Sequence, residues 1–519
     1  MSKPTYYITT PIYYPSARLH IGHTYTTVAA DTLARYKRMR GFDVFFLTGT
    51  DEHGQKIENV ARDKEVSPQA YVDEIYESIT ALWQRMNISY DRFIRTTDPA
   101  HTAVVQQIFR RLYEQGNIYK GTYTGKYCTP CESFWTETQL KNGCCPDCGR
   151  PVIEAEEEAY FFRLQRYADR LVAHYDAHPD FMEPQSRKNE MINNFIKPGL
   201  EDLCVSRTSF SWGVPVDFDG GHIVYVWIDA LSNYITALGY GSEDQALFDR
   251  YWPADLHLMA KEIFRFHTII WPIMLMALDL PLPTRIFGHG WLQINGQKIS
   301  SSMGNAVDPI VLCERYGTDA VRYFLLREIP FGHDGNFTSE ALIARINADL
   351  ANDLGNLLSR STAMATKYFG GEIPAERTKG VPDDELRQMG LSLKSAVETA
   401  IETLDLPGAL TEIFRFVSRT NKYIDETAPW QLAKDEASRP RLAAVIYNLC
   451  EALRVVSVLL CPFMPDTSAA IAVQIGADNT PEWDSAGVWG ALSGQGILTA
   501  SPLFPRIDPE KELLELGVK

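Results

Sequence analysis

The sequence predicts an α/β nucleotide-binding fold: a parallel sheet split by a small metal-stapled insertion and followed by an all-α helical bundle. Three observations predict it. The first fifty residues read strand, helix, strand; a Cys-rich stretch interrupts the pattern between Tyr119 and Pro151; and apolar stripes at helical spacing dominate after Ala341. With 519 residues, 45% of them hydrophobic, the chain can bury large cores, and its aromatic content excludes disorder.

Thr5 to Thr9 is β-branched and aromatic and reads as a strand that Pro11 and Pro15 interrupt. Ile21, Tyr25, Val28, Ala29, Leu33 and Tyr36 then recur at helical spacing up to Gly41, and Asp43 to Leu47 is a second strand. This is the right-handed unit of a parallel sheet, whose ligands bind beyond the carboxyl ends of the strands, where Pro15 to His23 lies. Between Tyr119 and Pro151, Gly, Cys, Thr and Pro give the short spacings of an insertion rather than a hydrophobic layer. The αβ pattern resumes with Ile223 to Trp227 as an apolar strand, Leu256 to Met259, a helix through Lys261 to Leu278, and Arg285 to Phe287. Ile346, Leu350, Leu354, Leu357 and Leu358 set a helical stripe echoed by Leu442, Val445, Ile446, Leu449, Leu453 and Val456. The expected partition is 1–118 and 212–283 for the two halves of the nucleotide fold, 119–211 for the insertion, 284–340 for a region bearing the loop Lys298 to Ser302, and 341–519 for the bundle.

Composition removes several function classes. The longest nearly pure apolar run, Ile269 to Leu278, is half of the roughly 20 residues that a spanning helix needs, which argues against a membrane protein. The start Met1-Ser-Lys-Pro-Thr-Tyr lacks the pattern of a secretory signal, so a cytoplasmic chain with reduced thiols is expected. A net charge of −16 disfavours indiscriminate attraction to polyphosphates, so any nucleic acid must be held by local patches and shape.

Neither a Gly-x-Gly-x-x-Gly fingerprint nor a Gly-x-x-x-x-Gly-Lys-Ser/Thr loop occurs. The alternative phosphate holder is His20-Ile21-Gly22-His23 at the start of the first helix, where free N–H groups and two imidazoles supply donors and Gly22 admits a flat base. Taken alone, the same histidines would serve as helix caps. Gly296-Gln-Lys298-Ile-Ser300-Ser301-Ser302 is a polar loop carrying one cation among hydroxyls, suited to closing over a triphosphate. Cys128-Thr-Pro-Cys131 and Cys145-Pro-Asp-Cys148, thirteen residues apart, have the spacing of a closed, structural tetrahedral Zn2+ site, with Cys144 as a possible replacement ligand. A redox pair and a reduced loop are the competing readings.

The two signatures, in this order on a split nucleotide fold, resemble those of class I aminoacyl-tRNA synthetases, which implies a Rossmann-like sheet with ATP between the signatures. The likeness departs at Ile299 and at Ser301, where that family usually has lysine, and this would move pyrophosphate stabilisation to another cation such as Lys261. Tyr6 to Tyr14, Thr48 to Gly54 and Tyr225 to Ala230 narrow the resemblance to the methionyl-tRNA synthetase family. The resemblance implies ATP contacts from His20, Gly22, His23, Lys298 and Ser300, with His20, His23 and Lys298 catalytic. It implies a methionine pocket of Ile12, Tyr14, Asp51, Trp227, Ala230, Leu231, Tyr234, His267 and Trp271, with Asp51 receiving the amino group. An unbranched thioether suits an adaptable aromatic box, and a Tyr hydroxyl and a His favour its weakly accepting sulfur. His267 and Trp271, four apart on one helix, also have the spacing of core packing.

In the bundle, the resemblance implies that Asn356, Arg360 and Trp430 read the CAU anticodon of tRNA(Met), initiator tRNA included, by stacking and edge contacts. Without it, Asn356 and Arg360 read as a solvated face and Trp430 as a lid on the bundle. The reaction implied is activation of L-methionine with Mg2+-bound ATP, then transfer to tRNA, by a monomer. A synthetase for another large apolar amino acid and a tRNA-binding protein without catalysis are the rival readings.

Overall fold

The computed structural model describes residues 3–128, 133–135, 140, 142–145, 149–294, 296–299, 307–478, 482–498 and 501–516, with the side chains of 127, 128, 133–135, 226 and 298 outside that description. Its central sheet has six parallel strands in the order Arg92–Arg95, Asp43–Thr50, Thr5–Tyr13, Leu256–Ala260, Ile286–His289 and Met182–Glu183. The first half of the chain builds outward from Thr5–Tyr13 on one side, and the second half begins on its other side, with Ile8 opposite Leu256. This is a switch point, where the connections part and leave a crevice at the carboxyl edge.

The first strand continues through Pro11 to Tyr13, further than its sequence suggests. The register with the second strand shifts between Thr9 and Ile12, and a bulge tolerates a residue with no N–H for the ladder. Ile223 to Trp227 is not one strand. Only Ile223–Val224 is extended, paired antiparallel with Ser206–Arg207, and Val226–Thr236 is a helix. Ile228 to Ile235 are all buried, polar residues included, so the segment shows no amphipathic period to separate helix from strand. The expected helix from Lys261 to Leu278 is a succession of a short 3-10 turn, a π turn at Phe266–Ile270 and an α-helix at Trp271–Ala277. Such π turns recur at functional sites, and this one carries His267.

The insertion is more regular than expected, an antiparallel sheet ordered Ser133–Trp135, Ile118–Cys128, Ile153–Phe162, Leu203–Cys204. Cys128 pairs with Ser133 at the end of the strand Ile118–Cys128, and Cys144 bridges to Pro151. Cys145 is buried, while Cys131, Cys148 and the Cys128 side chain lie outside the described residues.

The C-terminal part is helical, with Asn356–Phe369, Val381–Glu402, Leu406–Thr427 and Arg439–Leu460 packed around the predicted stripes. Among the described residues, Glu436–Leu460 is the one helical run long and apolar enough to cross a membrane, and its apolar stretch is 94% buried as core. Composition did not reveal it because Glu451 and Arg454 interrupt the run. They pair inside the core at 2.7 Å, and Glu451 also accepts from the backbone N–H groups of Gly490 and Leu492. Fully buried Arg322 ties the bundle to the sheet. It donates to Asp31 at 2.8 Å and to the carbonyls of Met86, Pro462 and Phe463. Burial alone would raise the Asp31 carboxyl, but Arg322 and Arg35 outweigh it and hold the group below its ordinary range. Asp31 sits on the helix Ile21–Met39, whose start faces the crevice.

Candidate active site

A cavity of about 980 Å3 opens at the carboxyl edge of the sheet, lined by the ends of the strands Thr5–Tyr13, Leu256–Ala260 and Ile286–His289 and by the start of the first helix. At one end, His20 is the N-cap. Its Nδ1 accepts from the Gly22 N–H at 3.1 Å, and His23 Nδ1 accepts from the His20 N–H at 3.1 Å, a capping box made of two imidazoles. A ring that accepts through Nδ1 carries its proton on Nε2, so the cap fixes one tautomer for both histidines and makes each Nε2 a donor. The rings stand 4.0 Å apart between centroids. A Cβ at Gly22 would lie 3.0 Å from His20 Cε1 and press the ring out of its cap. The structure shows the capping arrangement, which leaves Nε2 of each ring as its donor nitrogen.

At the other end Asp51 follows the second strand and is 7% exposed, with its Oδ1 lacking a hydrogen-bond partner among the described residues. Burial, reinforced by Asp229 and Glu52, pushes this carboxyl well above the usual range. Asp229 behaves oppositely: burial pushes it up, but His53 Nδ1 at 2.7 Å and His101 Nε2 at 2.8 Å outweigh it and hold the carboxyl at about 2. Asp51 thus stands as the acid in need of a cationic partner.

Ile12, Tyr14, Trp227, Ala230, Leu231, Tyr234 and His267 line the same cavity as Asp51. Trp227 stacks on Phe266 at 3.5 Å, a partner that the sequence reading did not name. Tyr234 Oη and His267 Nε2 are 2.6 Å apart, and His267 Nδ1 lies 3.0 Å from the Ile263 carbonyl. Burial lowers His267 to about 4, so the ring is neutral at pH 7. Nδ1 must donate to that carbonyl, and Nε2 accepts the Tyr234 proton. In this arrangement the Tyr234 proton goes to His267 and the His267 proton to the Ile263 carbonyl, so neither donor expected to meet a sulfur is left for one, and the aromatic wall offers shape and polarisability instead.

Trp271 does not line the cavity. It is fully buried behind Tyr234, with ring centroids 5.8 Å apart, and its Nε1 donates to His257 at 3.2 Å. It backs the wall, the packing role that its spacing from His267 also allowed. Lys261 is likewise placed elsewhere, because its ammonium is 2.7 Å from both oxygens of Asp334 and covers the Trp291 ring. Lys298 lies in the strand Gln297–Lys298 beside cavity-lining Ile299, with its side chain outside the description, as are Ser300 and Ser301. The sequence reading missed Arg18, Lys56, Glu262, His289 and Trp291, all of which line the cavity. One signal was present for part of this set: Gly290 sits where a Cβ would be 2.1 Å from the His333 backbone, a crossing only glycine permits.

In the bundle, Asn356 and Arg360 open one helix and share a face, and Arg360 bonds Asp425 at 3.1 Å. Asp425 lies five residues before Trp430, which is 43% exposed after Ala428 turns left-handed at φ 44°. Arg360 is thus tied to the end of the helix that precedes Trp430, and Asn356 is exposed a turn away from Arg360.

The sheet, its switch point and the histidine-capped helix define a class I tRNA synthetase. A profile described as tRNA synthetases class I (M) matches residues 6–154 and 150–362, and one described as the anticodon binding domain of methionyl tRNA ligase matches 373–513. The chain belongs to the methionyl-tRNA synthetase family. It is 61% identical over 517 residues to the methionine–tRNA ligase of Clostridium perfringens, covering 99% of this chain and 80% of that one. The Bacillus subtilis enzyme is 53% identical over 98% of this chain and 79% of its own. The solved Mycobacterium tuberculosis methionyl-tRNA synthetase in complex with methionyl-adenylate superposes with a TM-score of 0.91 at 42% identity, covering 97% of this chain and 100% of that one.

Proposed function

We infer that the chain is an ATP-dependent methionine–tRNA ligase that works through this one cavity. The observation that carries the reading is the pairing of Asp51, buried and with no partner for Oδ1 among the described residues, with an aromatic wall at one end and two tautomer-locked histidines at the other. Methionine places its ammonium at Asp51 and its side chain against Trp227, Tyr234 and His267. ATP lies along the helix start, with phosphates at His20, Gly22, His23 and Lys298 and Ser300 from the following loop. A methionine carboxylate oxygen attacks the α-phosphorus, the bond to the bridging oxygen breaks, and pyrophosphate leaves. The ribose hydroxyl at the 3′ end of tRNA then attacks the activated carbonyl and AMP departs. Positioning and stabilisation of the departing charge supply most of the acceleration, since no covalent bond to the protein forms.

Mg2+ enters with ATP. Among the described residues the carboxylates in the cavity wall are Asp51 and Glu262, and Glu262 accepts from Trp291 Nε1 at 2.7 Å, so this donor set does not make a dedicated magnesium cage and the phosphates carry the ion. Zn2+ suits the insertion: its two Cys-x-x-Cys pairs have the spacing of a closed structural site, Cys128 ends a strand and Cys145 is buried. Asn356, Arg360 and Trp430 form the anticodon corner. Methionine-dependent exchange of pyrophosphate into ATP, run with each of the twenty amino acids, tests the reading. Exchange with methionine far above leucine, isoleucine and valine is expected, and equal exchange with a branched amino acid or none at all overturns it.

A further inference from the structure

We propose that Arg18 binds the β- and γ-phosphates of ATP and holds pyrophosphate as it leaves, an inference that rests on ATP lying along the start of the first helix. Among the cavity-lining residues with described side chains, the lysines and arginines are Arg18 and Lys56. Both are exposed, and among the described residues neither takes part in an ion pair. The neighbouring cations are already spent. Lys261 is held by both oxygens of Asp334, Arg95 is tied to Glu52 and Asp73, and Arg265 lies over the rings of Phe195 and Phe266.

Connectivity separates the two candidates. Lys56 is the second residue of the helix Gln55–Asp63 and follows Asp51 closely, at the amino-acid end. Arg18 stands two residues before His20, which keeps their Cα atoms within about 7 Å, at the end where the imidazole donors are aimed. A triphosphate brings about four negative charges, and the chain already carries a net −16 and places Asp51 and Glu262 in the same wall. Two imidazoles and a helix start donate hydrogen bonds, and Mg2+ and Lys298 offset most but not all of that charge. An uncompensated guanidinium beside them balances part of it, and its planar fork fits two phosphate oxygens. As the bond from the α-phosphorus to the bridging oxygen breaks, the electron pair moves onto pyrophosphate, and the interaction with Arg18 strengthens.

The test uses Arg18→Ala, Arg18→Lys, Arg18→Gln and Lys56→Ala in the full chain, with methionine-dependent pyrophosphate exchange for ATP and equilibrium titration for methionine alone. Arg18→Ala is expected to lower kcat/KM for ATP at least tenfold, with the methionine Kd within twofold. Arg18→Lys should recover part of the loss, because the charge returns without the fork, and Lys56→Ala should stay within twofold for ATP. If Arg18→Ala lowers the melting temperature, Arg18→Gln, which keeps a polar stem, decides under the same thresholds. ATP parameters within twofold of the parent, an equal loss in methionine affinity, or the same ATP loss in Lys56→Ala overturns the proposal. Failure of the ligase reading shows differently: the unsubstituted chain then gives no methionine-dependent exchange.

Discussion

Replacing Asp51 by Asn tests the recognition of the amino group. Asp51 is 7% exposed, one of its oxygens has no partner among the described residues, and burial together with Asp229 and Glu52 pushes its carboxyl well above 3.8. A ligand ammonium would supply both a hydrogen bond and the missing countercharge. A hydrogen bond to a charged group contributes about 1.5–3 kcal/mol, so Asp51→Asn should weaken methionine about tenfold to 150-fold in calorimetric titration. The pH dependence carries a second signature. The free protein must lose the Asp51 proton to receive an ammonium, so methionine affinity in the parent rises as pH climbs through the raised Asp51 value, and Asp51→Asn abolishes that rise. Stability moves the other way. Between 3.8 and the raised value the native state holds a proton that the unfolded chain has released, so this group makes stability fall as pH increases. The Asn variant lacks that slope and should be no less stable than the parent at pH 8. Methionine binding within threefold of the parent, or an unchanged pH profile, would refute the assignment of Asp51.

Three further outcomes are expected. Arg322→Ala leaves Asp31 buried with Arg35 and Ser89 as its remaining partners, and should cost about 3 kcal/mol of unfolding free energy in denaturant titration, the low end for breaking a buried ion pair. Trp430→Ala should raise the KM for tRNA in aminoacylation by the equivalent of about 1–3 kcal/mol, the worth of one base stack, while leaving pyrophosphate exchange unchanged. Purified protein should contain a single zinc ion per chain by atomic absorption, and Cys145→Ser should lose it; a metal-free parent that is fully folded and active would remove the zinc reading.

How legible the molecule was in its sequence varied with the local physics. The first strand and second strand were legible as β-branched and aromatic runs although both are buried on both faces, the helix from apolar residues at helical spacing, and the histidine cap from its place at a helix start. Ile223 to Trp227 read as one strand although the helix Val226–Thr236 begins inside it, because that helix's middle is buried on every side and lacks the period that tells helix from strand. The long strand Ile153–Phe162 was hidden by Glu154 to Glu158, acids that suit a two-sided exposed ribbon as well as a loop. The nine residues expected in a methionine pocket came mostly from the resemblance rather than from any local pattern, and eight of them line the cavity while Trp271 lies behind Tyr234. Arg18, Lys56, Glu262 and His289 escaped notice because they come from separate loops and strand ends, and only the closed sheet makes them neighbours.

The most direct measurement is a crystal structure of the chain with methionine and a non-hydrolysable ATP analogue. The ammonium should lie within hydrogen-bond distance of Asp51, the thioether against Trp227 and Tyr234, and the phosphates at the Nε2 atoms of His20 and His23. Ligand density elsewhere, or phosphates at the Asp51 end, would contradict the account.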